Sequence, residues 1–424
     1  MGSNWFSRCE LDQRFSSAMP YPYLPPGSGM KWLVYDWDQR RVVDVFVPGP
    51  DVEETFVFEA VAKFIEQLPA DVVQVKLDRA GDLVSTSSDF NDDRAWIPFY
   101  PPRTDFPRRV PTIRRRDLTE VDRLGLQVDL TAYPDRSRPG ETRKVVFKYY
   151  VTENSVVTWW HEANCVLRMP SHPNIVPFDA LVVDRIDHVD CVVGFTTRYI
   201  PGGTLHQNNN RVVDHLNLRL GIVHGDICPW NLLIDAETDA LQLFDFNCGA
   251  KLGWGGDEDN RLEFEYEENR NDVKFVIFTV YELITREFCF RQEFYPDELD
   301  ASGLMKKSKW TAHKDAKLDS PITEYRRVLN DWAKQWAETD KQVDHFTKAL
   351  EPLNWPALRV DPFMAWDQTP FRRRGQIRGT LTLMGKDFLR WERPPTRSMT
   401  LPEGQRLLAT GEIVQDVPGA STKK

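Results

Sequence analysis

The sequence predicts a mixed α+β fold, with most strands in the first half of the chain and the long helices in the second. Short segments before residue 200 alternate apolar and polar residues, which is the period of a strand. Residues 271–285 are apolar on all sides, as in a buried helix, and residues 322–336 place apolar side chains on one helical face. Between these parts, residues 224–247 contain two short apolar runs that predict a hairpin.

The first 116 residues are predicted to be an N-terminal extension that ends in a linker rich in Pro and Arg. Within it, residues 31–47 alternate at both ends and predict a hairpin that turns near Asp38 and Gln39. Residues 53–68 carry apolar side chains at helical spacing. Residues 91–116 hold the prolines and arginines of the linker, for which a solvated surface is the simplest interpretation.

Composition limits the classes of function and the compartment. The chain has 424 residues, which suits one large two-lobed domain with extensions or a few small domains. Its net charge of −10 argues against general nucleic-acid or membrane-surface binding, and no apolar run approaches membrane-spanning length. The six cysteines form no C-x-x-C pair, which predicts reduced thiols and an intracellular location, cytoplasmic or nuclear.

The stretch from His224 to Asn247 holds the residue types that phosphoryl transfer from a nucleotide needs. A carboxylate must orient the attacking hydroxyl and accept its proton, and Asp226 suits this role. Oxygen ligands must hold Mg²⁺, and Asn231 and Asp245 suit that role. Asp and Asn are also common turn formers in loops, which is the alternative interpretation of each residue alone.

The motifs in this stretch resemble those of the protein-kinase family. HGDICPWN, residues 224–231, is similar to the catalytic loop, and Asp245-Phe246-Asn247 is similar to the metal-binding DFG. The resemblance implies a two-lobed protein-kinase-like fold that binds ATP and Mg²⁺. Its small, strand-rich N-lobe would span residues 117–198 and its mainly helical C-lobe residues 199–340. Residues 341–424 would be a C-terminal extension, partly disordered.

The same resemblance implies further site residues. Lys148, on a strand predicted over residues 143–150, would position the phosphates, and Val146 on the same face would cover the adenine. Glu162, on a helix predicted over residues 155–169, would hold Lys148. The sequence HPNIVPF at 172–178 resembles the loop that follows this helix in protein kinases.

The segment that would join the lobes is RYIPGGTL, residues 198–205. Before it, residues 181–193 and 194–200 predict two more strands. Thr197 would be the gatekeeper, and the backbone of Ile200 would contact adenine. Asp272, at the start of the buried helix, would brace the catalytic loop.

Several positions depart from the family pattern. Gly125 alone stands where the family has a glycine-rich loop, and the segment between Gly203 and His224 is short. Gly225 replaces the Arg that, in the family, pairs with a phosphate on the segment following the DFG motif. Residues 248–271, which form the corresponding segment here, contain no Ser or Thr. We therefore expect no regulation by Ser/Thr phosphorylation of this segment. Asn247 replaces a Gly, and Asn tolerates positive φ.

Three functions remain open from the sequence. The leading one is an ATP-dependent protein kinase acting on Ser or Thr of a protein substrate. The alternatives are a pseudokinase that serves as a binding module and a small-molecule phosphotransferase similar to the aminoglycoside and choline kinases.

Overall fold

The computed structural model describes most of the chain, and its architecture is mixed α+β, as predicted. The described residues are 6, 8–18, 21–22, 28–49, 52–135, 138–152, 155–201, 213–235, 238, 240–255, 266–340, 343–356, 358, 375–396 and 401–415. The chain divides into two compact units. The first comprises Met1–Val156, Asp179–Tyr199 and Arg359–Lys424, and the second Val157–Phe178 and Ile200–Leu358.

The first unit begins with a sheet backed by helices. Its strands are β1 (Phe15–Ser17), β2 (Tyr21–Pro22), β3 (Met30–Asp36), β4 (Arg41–Val47), β5 (Gln74–Leu77) and β6 (Leu83–Ser87), and its helices are α1 (Leu11–Arg14) and α2 (Glu54–Ala62). The order is β1-β3-β4-β5-β6, with β2 paired to β3. The predicted hairpin over residues 31–47 is confirmed as β3 and β4. The helix predicted over residues 53–68 ends at Ala62, and a 3₁₀ turn at Ile65–Gln67 follows it.

A second sheet of the same unit carries several predicted site residues. Its strands are β8 (Thr112–Arg114), β9 (Thr119–Gly125), β10 (Val128–Pro134), β11 (Thr142–Tyr149), β12 (Phe178–Ile186) and β13 (Val189–Arg198), in the order β8-β12-β13-β11-β10-β9. The strand β8, from the predicted linker, pairs in parallel with β12.

One strand boundary was predicted wrongly in this sheet. The sequence placed a break between residues 193 and 194, whereas the turn lies at Asp187 and His188. Both turn residues have positive φ, 45° and 66°, as a two-residue hairpin requires. The break was misplaced because residues 191–196 are all buried and therefore show no alternation.

One face of this second sheet is covered by a buried ionic and aromatic cluster. The Arg393 guanidinium donates to Glu120 at 2.9 Å and to Asp129 at 3.1 Å, and Arg40 pairs with the same Asp129. Arg40 comes from the turn between β3 and β4 and lies over the ring of Tyr149 at 4.1 Å. The ends of the chain thus supply the counter-charges for carboxylates of β9 and β10.

The remaining elements of the first unit are short. They are β7 (Trp96–Pro98), β18 (Gly375–Ile377), α8 (Arg378–Leu383), β19 (Gln405–Leu407) and β20 (Ile413–Gln415). Strand β18 pairs with β7, and β19 pairs with β20. Both predicted extensions, 1–116 and 341–424, therefore contribute strands to this unit.

The second unit is mainly helical. The helix α3 (Ser155–Arg168) enters it at Val157, and its other helices are a π-helix (His215–Leu220), α4 (Asp272–Thr285), α5 (Cys289–Glu293), α6 (Ala301–Lys306) and α7 (Ile322–Asp340). Its strands form two pairs, β14 (Ile222–Val223) with β17 (Ala250–Lys251) and β15 (Leu232–Asp235) with β16 (Ala240–Leu243).

The predicted helices over residues 155–169 and 271–285 are confirmed as α3 and α4. The Asn271 side chain caps α4 by accepting hydrogen bonds from the backbone of Val273 and Lys274. Helix α4 is buried on nearly all sides within the core of this unit. In the described part of the chain, no helix is both long and apolar enough to cross a membrane.

Candidate active site

The hairpin of β15 and β16 brings Asn231 and Asp245 close together. Leu232 pairs with Leu243, so the residues just outside the hairpin lie side by side. The backbone amide of Phe244 donates to the carbonyl of Asn231 at 3.1 Å. The predicted hairpin is thereby confirmed, and it places two of the three motif residues at its open end.

Asn231 is bonded directly to Asp226. Its side-chain amide donates to the backbone carbonyl of Asp226 at 2.9 Å and to its carboxylate at 3.0 Å. A 3₁₀ turn at Pro229–Asn231 makes this return possible by reversing the chain between the two residues. The amide nitrogen is thus engaged on Asp226, and the amide oxygen is the atom of Asn231 with the chemistry to bind a cation.

His224 fixes the backbone on both sides of the site. Its Nδ1 accepts a hydrogen bond from the backbone amide of Asp226 at 3.2 Å, and its Nε2 lies 2.9 Å from the carbonyl of Phe244. An acceptor Nδ1 assigns the proton to Nε2, which then donates to that carbonyl. Its ring also packs on Phe246 at 4.7 Å. One imidazole therefore holds the loop of Asp226 against the segment of Asp245.

Asp245, rather than Asn247, takes the left-handed conformation at this turn. Its φ and ψ are both 67°, whereas Asn247 lies inside a 3₁₀ turn over Phe246–Cys248. The expectation that Asn247 occupies a positive-φ position is therefore wrong. Asp is among the residues that tolerate this region, so the turn forms without glycine.

Position 225 requires a glycine because the backbone of Cys248 passes close to it. Gly225 has φ +75°, and a side chain there would meet the carbonyl of Cys248. No larger residue, Arg included, fits this position without moving the segment after Asp245. The glycine at position 225 therefore has a local steric reason.

Asp272 braces the loop from the first turn of α4. Its carboxylate accepts hydrogen bonds from the backbone amides of His224 and Gly225 and from the side chain of Asn217, each at 2.9 Å. Asp272 is 1 % exposed, so these bonds are shielded from water. The carboxylate that the resemblance placed here does make the expected contacts with the loop.

A second support comes from residues that the sequence did not indicate. Thr279 donates to the backbone carbonyl of Ile227 at 3.0 Å, and Arg291 donates to the Thr279 hydroxyl at 3.0 Å and to Glu282 at 2.7 Å. Thr279 and Glu282 are polar residues inside an apolar helix, which is a signal that could have been used. Arg291 lies in a stretch without periodicity and gave none.

The electrostatics of the site centre on its carboxylates. Burial raises the pKa of Asp226, and Asp245 raises it further, whereas His224, Arg291 and the hydrogen bond from Asn231 oppose the shift. A like charge disfavours ionisation, which is why the Asp245 carboxylate adds to the raised pKa of Asp226.

The charges of three predicted site residues affect the thiol of Cys248. Burial raises its pKa to about 11, and the charges of Asp226, Asp245 and Glu162 add to the shift. Glu162, on α3, is itself buried. The charge of this α3 carboxylate is therefore one of those that affect the pKa of the Cys248 thiol.

The remaining predicted site residues lie elsewhere. Val146 and Lys148 are half-buried on one face of β11, and Thr197 on β13 is the direct cross-strand partner of Val146. These three belong to the first unit, whereas Ile200 is a buried residue of the second. The pairing of Lys148 with Glu162 joins different units and stays a prediction. Gly202 and Gly203 lie outside the described residues.

The donor set fits a magnesium ion that arrives with phosphates. Asn231 and Asp245 offer oxygen atoms, which Mg²⁺ prefers, and Mg²⁺ commonly takes one or two protein ligands beside water and phosphate. Within the described ranges, no group of three or more His, Cys, Asp or Glu side chains could hold a metal ion.

Comparisons with known proteins add no relative. No family model matches the chain, and no curated protein shows significant similarity to it. The geometry of the site is therefore the evidence for its function.

Proposed function

We propose that the chain is an ATP-dependent phosphotransferase of the protein-kinase type, directed to Ser or Thr hydroxyls of an intracellular protein substrate. The observation that carries this proposal is the arrangement of Asp226, Asn231 and Asp245. Asn231 is bonded to the Asp226 carboxylate, and the hairpin holds Asp245 beside Asn231. A turn-forming role for each residue alone does not require the three to meet.

Each residue has a chemical task in this proposal. Asp226 orients the acceptor hydroxyl and takes its proton, and the bond from Asn231 fixes the rotamer of the Asp226 carboxylate. Asn231 and Asp245 would hold Mg²⁺, which when bound neutralises charge on the phosphates. Lys148, supported by Glu162, would contact the phosphates.

The strand order of the second sheet supports a two-lobed, kinase-like fold. Protein kinases carry the phosphate-binding lysine on the third strand of the small lobe. Here β9, β10 and β11 are consecutive antiparallel neighbours, and Lys148 lies on the third of them. The helix that follows carries Glu162. We propose on this basis that β9–β13 form the small lobe and that the second unit forms the large one.

One observation favours the pseudokinase alternative. Strands β9 and β10 are joined only by Leu126 and Gln127, and the described structure has Gly125 as the one glycine of this turn. A tight hairpin without further glycines offers few backbone amides for phosphates. A binding module that holds nucleotide weakly is therefore the second candidate.

The test is Mg²⁺-dependent ATP turnover and autophosphorylation by the full chain. Asp226→Asn should abolish turnover, because the amide cannot accept the proton, and Asp214→Asn should leave it intact. Asp214 is a half-buried aspartate of the same unit that bonds Trp332 instead. Basic peptides should be phosphorylated in preference to sugars and amines.

The other outcomes separate the alternatives. A rise in melting temperature with Mg²⁺-ATP but no turnover would indicate the binding module. Phosphorylation of sugars or amines alone would indicate a small-molecule phosphotransferase. If the protein neither binds ATP nor turns it over, the proposal is refuted.

A further inference from the structure

The segment that follows α7 runs back across the second unit. We name residues 343–356 the strap. The backbone amides of Glu351 and Leu353 donate to the carbonyls of Arg219 and Leu220 at 2.8 and 2.9 Å. The side chains of Arg219 and Glu351 form an ion pair at 2.6 Å. These contacts attach the strap to the end of the π-helix that precedes the loop of Asp226.

The strap also contacts the segment that follows Asp245. The backbone amide of Phe346 donates to the carbonyl of Leu252 at 2.7 Å. Two glycines permit this approach. Both have positive φ, and a side chain on Gly253 would meet the carbonyl of Asp344, as one on Gly221 would meet that of Phe346. The strap is therefore fitted to its partners along the backbone.

Lys251 joins the same segment to the strap through its side chain. Its ammonium group donates to the side chain of Asn354 at 2.7 Å and to the carbonyl of Trp355 at 3.3 Å. It lies within 5.4 Å of three ring centroids, those of Trp254, Phe346 and Trp355. Ring faces attract a cation, and neutral oxygens accept its protons, so these contacts stabilise the buried ammonium group.

The third attachment is to α3, the helix that carries Glu162. The indole of Trp355 donates to Nδ1 of His161 at 3.0 Å, and the indole of Trp160 donates to the carbonyl of Pro356 at 3.0 Å. Both indoles are at least nine-tenths buried, so these two donors are shielded from most of the solvent. His161 precedes Glu162 in the sequence, so the strap contacts α3 at the helical turn that carries Glu162.

We propose that the strap, through Trp355, is a positioning device that fixes α3 and its Glu162 against the segment following Asp245. This inference rests on the function proposed above, in which Glu162 supports the phosphate-contacting lysine. Residues 248–271 contain no Ser or Thr whose phosphorylation could order the segment. A built-in strap would keep the site assembled without such a modification.

The test compares three Trp→Phe variants of the full chain. Trp355→Phe and Trp160→Phe each remove one indole donor between the strap and α3. Trp332→Phe is the matched control, because Trp332 is also more than nine-tenths buried and its indole donates to Asp214. Hydrogen exchange is then measured for residues 157–168 and 248–255.

Loss of a strap bond should raise exchange in both segments about tenfold or more, and the control should leave both unchanged. If Trp355→Phe and Trp160→Phe give the same exchange as Trp332→Phe, the proposal is overturned. The hydrogen-exchange measurement does not depend on catalysis, so it tests the positioning role of the strap even if the protein does not turn over ATP.

In an active protein, the KM for ATP gives a second reading. Trp355→Phe should raise it several-fold, and the same substitution should have no further effect in a Glu162→Gln background, because both changes act through Glu162. Additive effects of the two substitutions on KM would show that Trp355 acts elsewhere, and would overturn the assignment to Glu162.

Discussion

The role of Asp272 can be tested by the single substitution Asp272→Asn. The Oδ2 atom of Asp272 accepts from His224 and Asn217, and Oδ1 accepts from the amide of Gly225. In the variant, the amide oxygen of the new side chain can take the place of Oδ2 and keep both of its donors. The NH₂ group then takes the place of Oδ1 and faces the backbone amide of Gly225. One charge-assisted hydrogen bond is lost, and two buried donors oppose each other.

The magnitude follows from these contacts. A hydrogen bond to a charged group contributes about 1.5–3 kcal/mol, and a buried unsatisfied donor costs about 1–3 kcal/mol. We therefore expect Asp272→Asn to lower the free energy of unfolding by about 3–5 kcal/mol. Asp331→Asn on α7, where the carboxylate is half exposed, should change it little.

The assay is urea unfolding followed by tryptophan fluorescence, together with hydrogen exchange at the amides of His224 and Gly225. Both amides should lose protection in Asp272→Asn and keep it in Asp331→Asn. If the two variants lose the same stability and both amides stay protected, the bracing role of Asp272 is wrong.

Three further predictions concern other buried groups. Burial raises the pKa of Glu282 to about 7, although Arg291 opposes the shift, so the stability of the wild type should fall as pH rises from 5 to 8. The variant Glu282→Gln lacks this titration, and its free energy of unfolding should gain up to about 3 kcal/mol relative to wild type over that range, as measured by unfolding at several pH values. Gly225→Ala should cost about 1–3 kcal/mol more than Gly404→Ala in urea unfolding, because both glycines have positive φ but only the first would place a side chain against backbone. Arg393→Met should cost about 3–5 kcal/mol by leaving Asp129 and Glu120 short of a partner, whereas Arg138→Met, at an exposed pair, should leave the melting temperature nearly unchanged.

The parts of the fold that the sequence predicted well are those with a clear period. The hairpin of β3 and β4 follows from alternation, and the helix α4 follows from an apolar run. The turn at Asp187 and His188 was missed because the flanking strand is buried on both faces and loses its alternation.

The candidate site divides in the same way. Asp226, Asn231 and Asp245 were singled out because their residue types and spacing suit phosphoryl transfer, and the structure brings them into one region of the second unit. Arg291 was not predicted, because its role depends on a hydrogen bond to Thr279 that no local sequence pattern indicates. The strap was likewise counted with the C-terminal extension, since its partners lie more than 90 residues away in sequence.

The cluster around Arg40 and Arg393 sets limits on how the chain can be shortened. A piece that spans residues 117–340 would contain Asp129, Glu120 and Tyr149 but neither arginine. Asp129 would lose the charges of Arg40 and Arg393, Glu120 would keep Arg123 but lose Arg393, and the aromatic face of the sheet would meet solvent. Such a piece should express as aggregates, and the shortest workable version must keep both termini of the first unit.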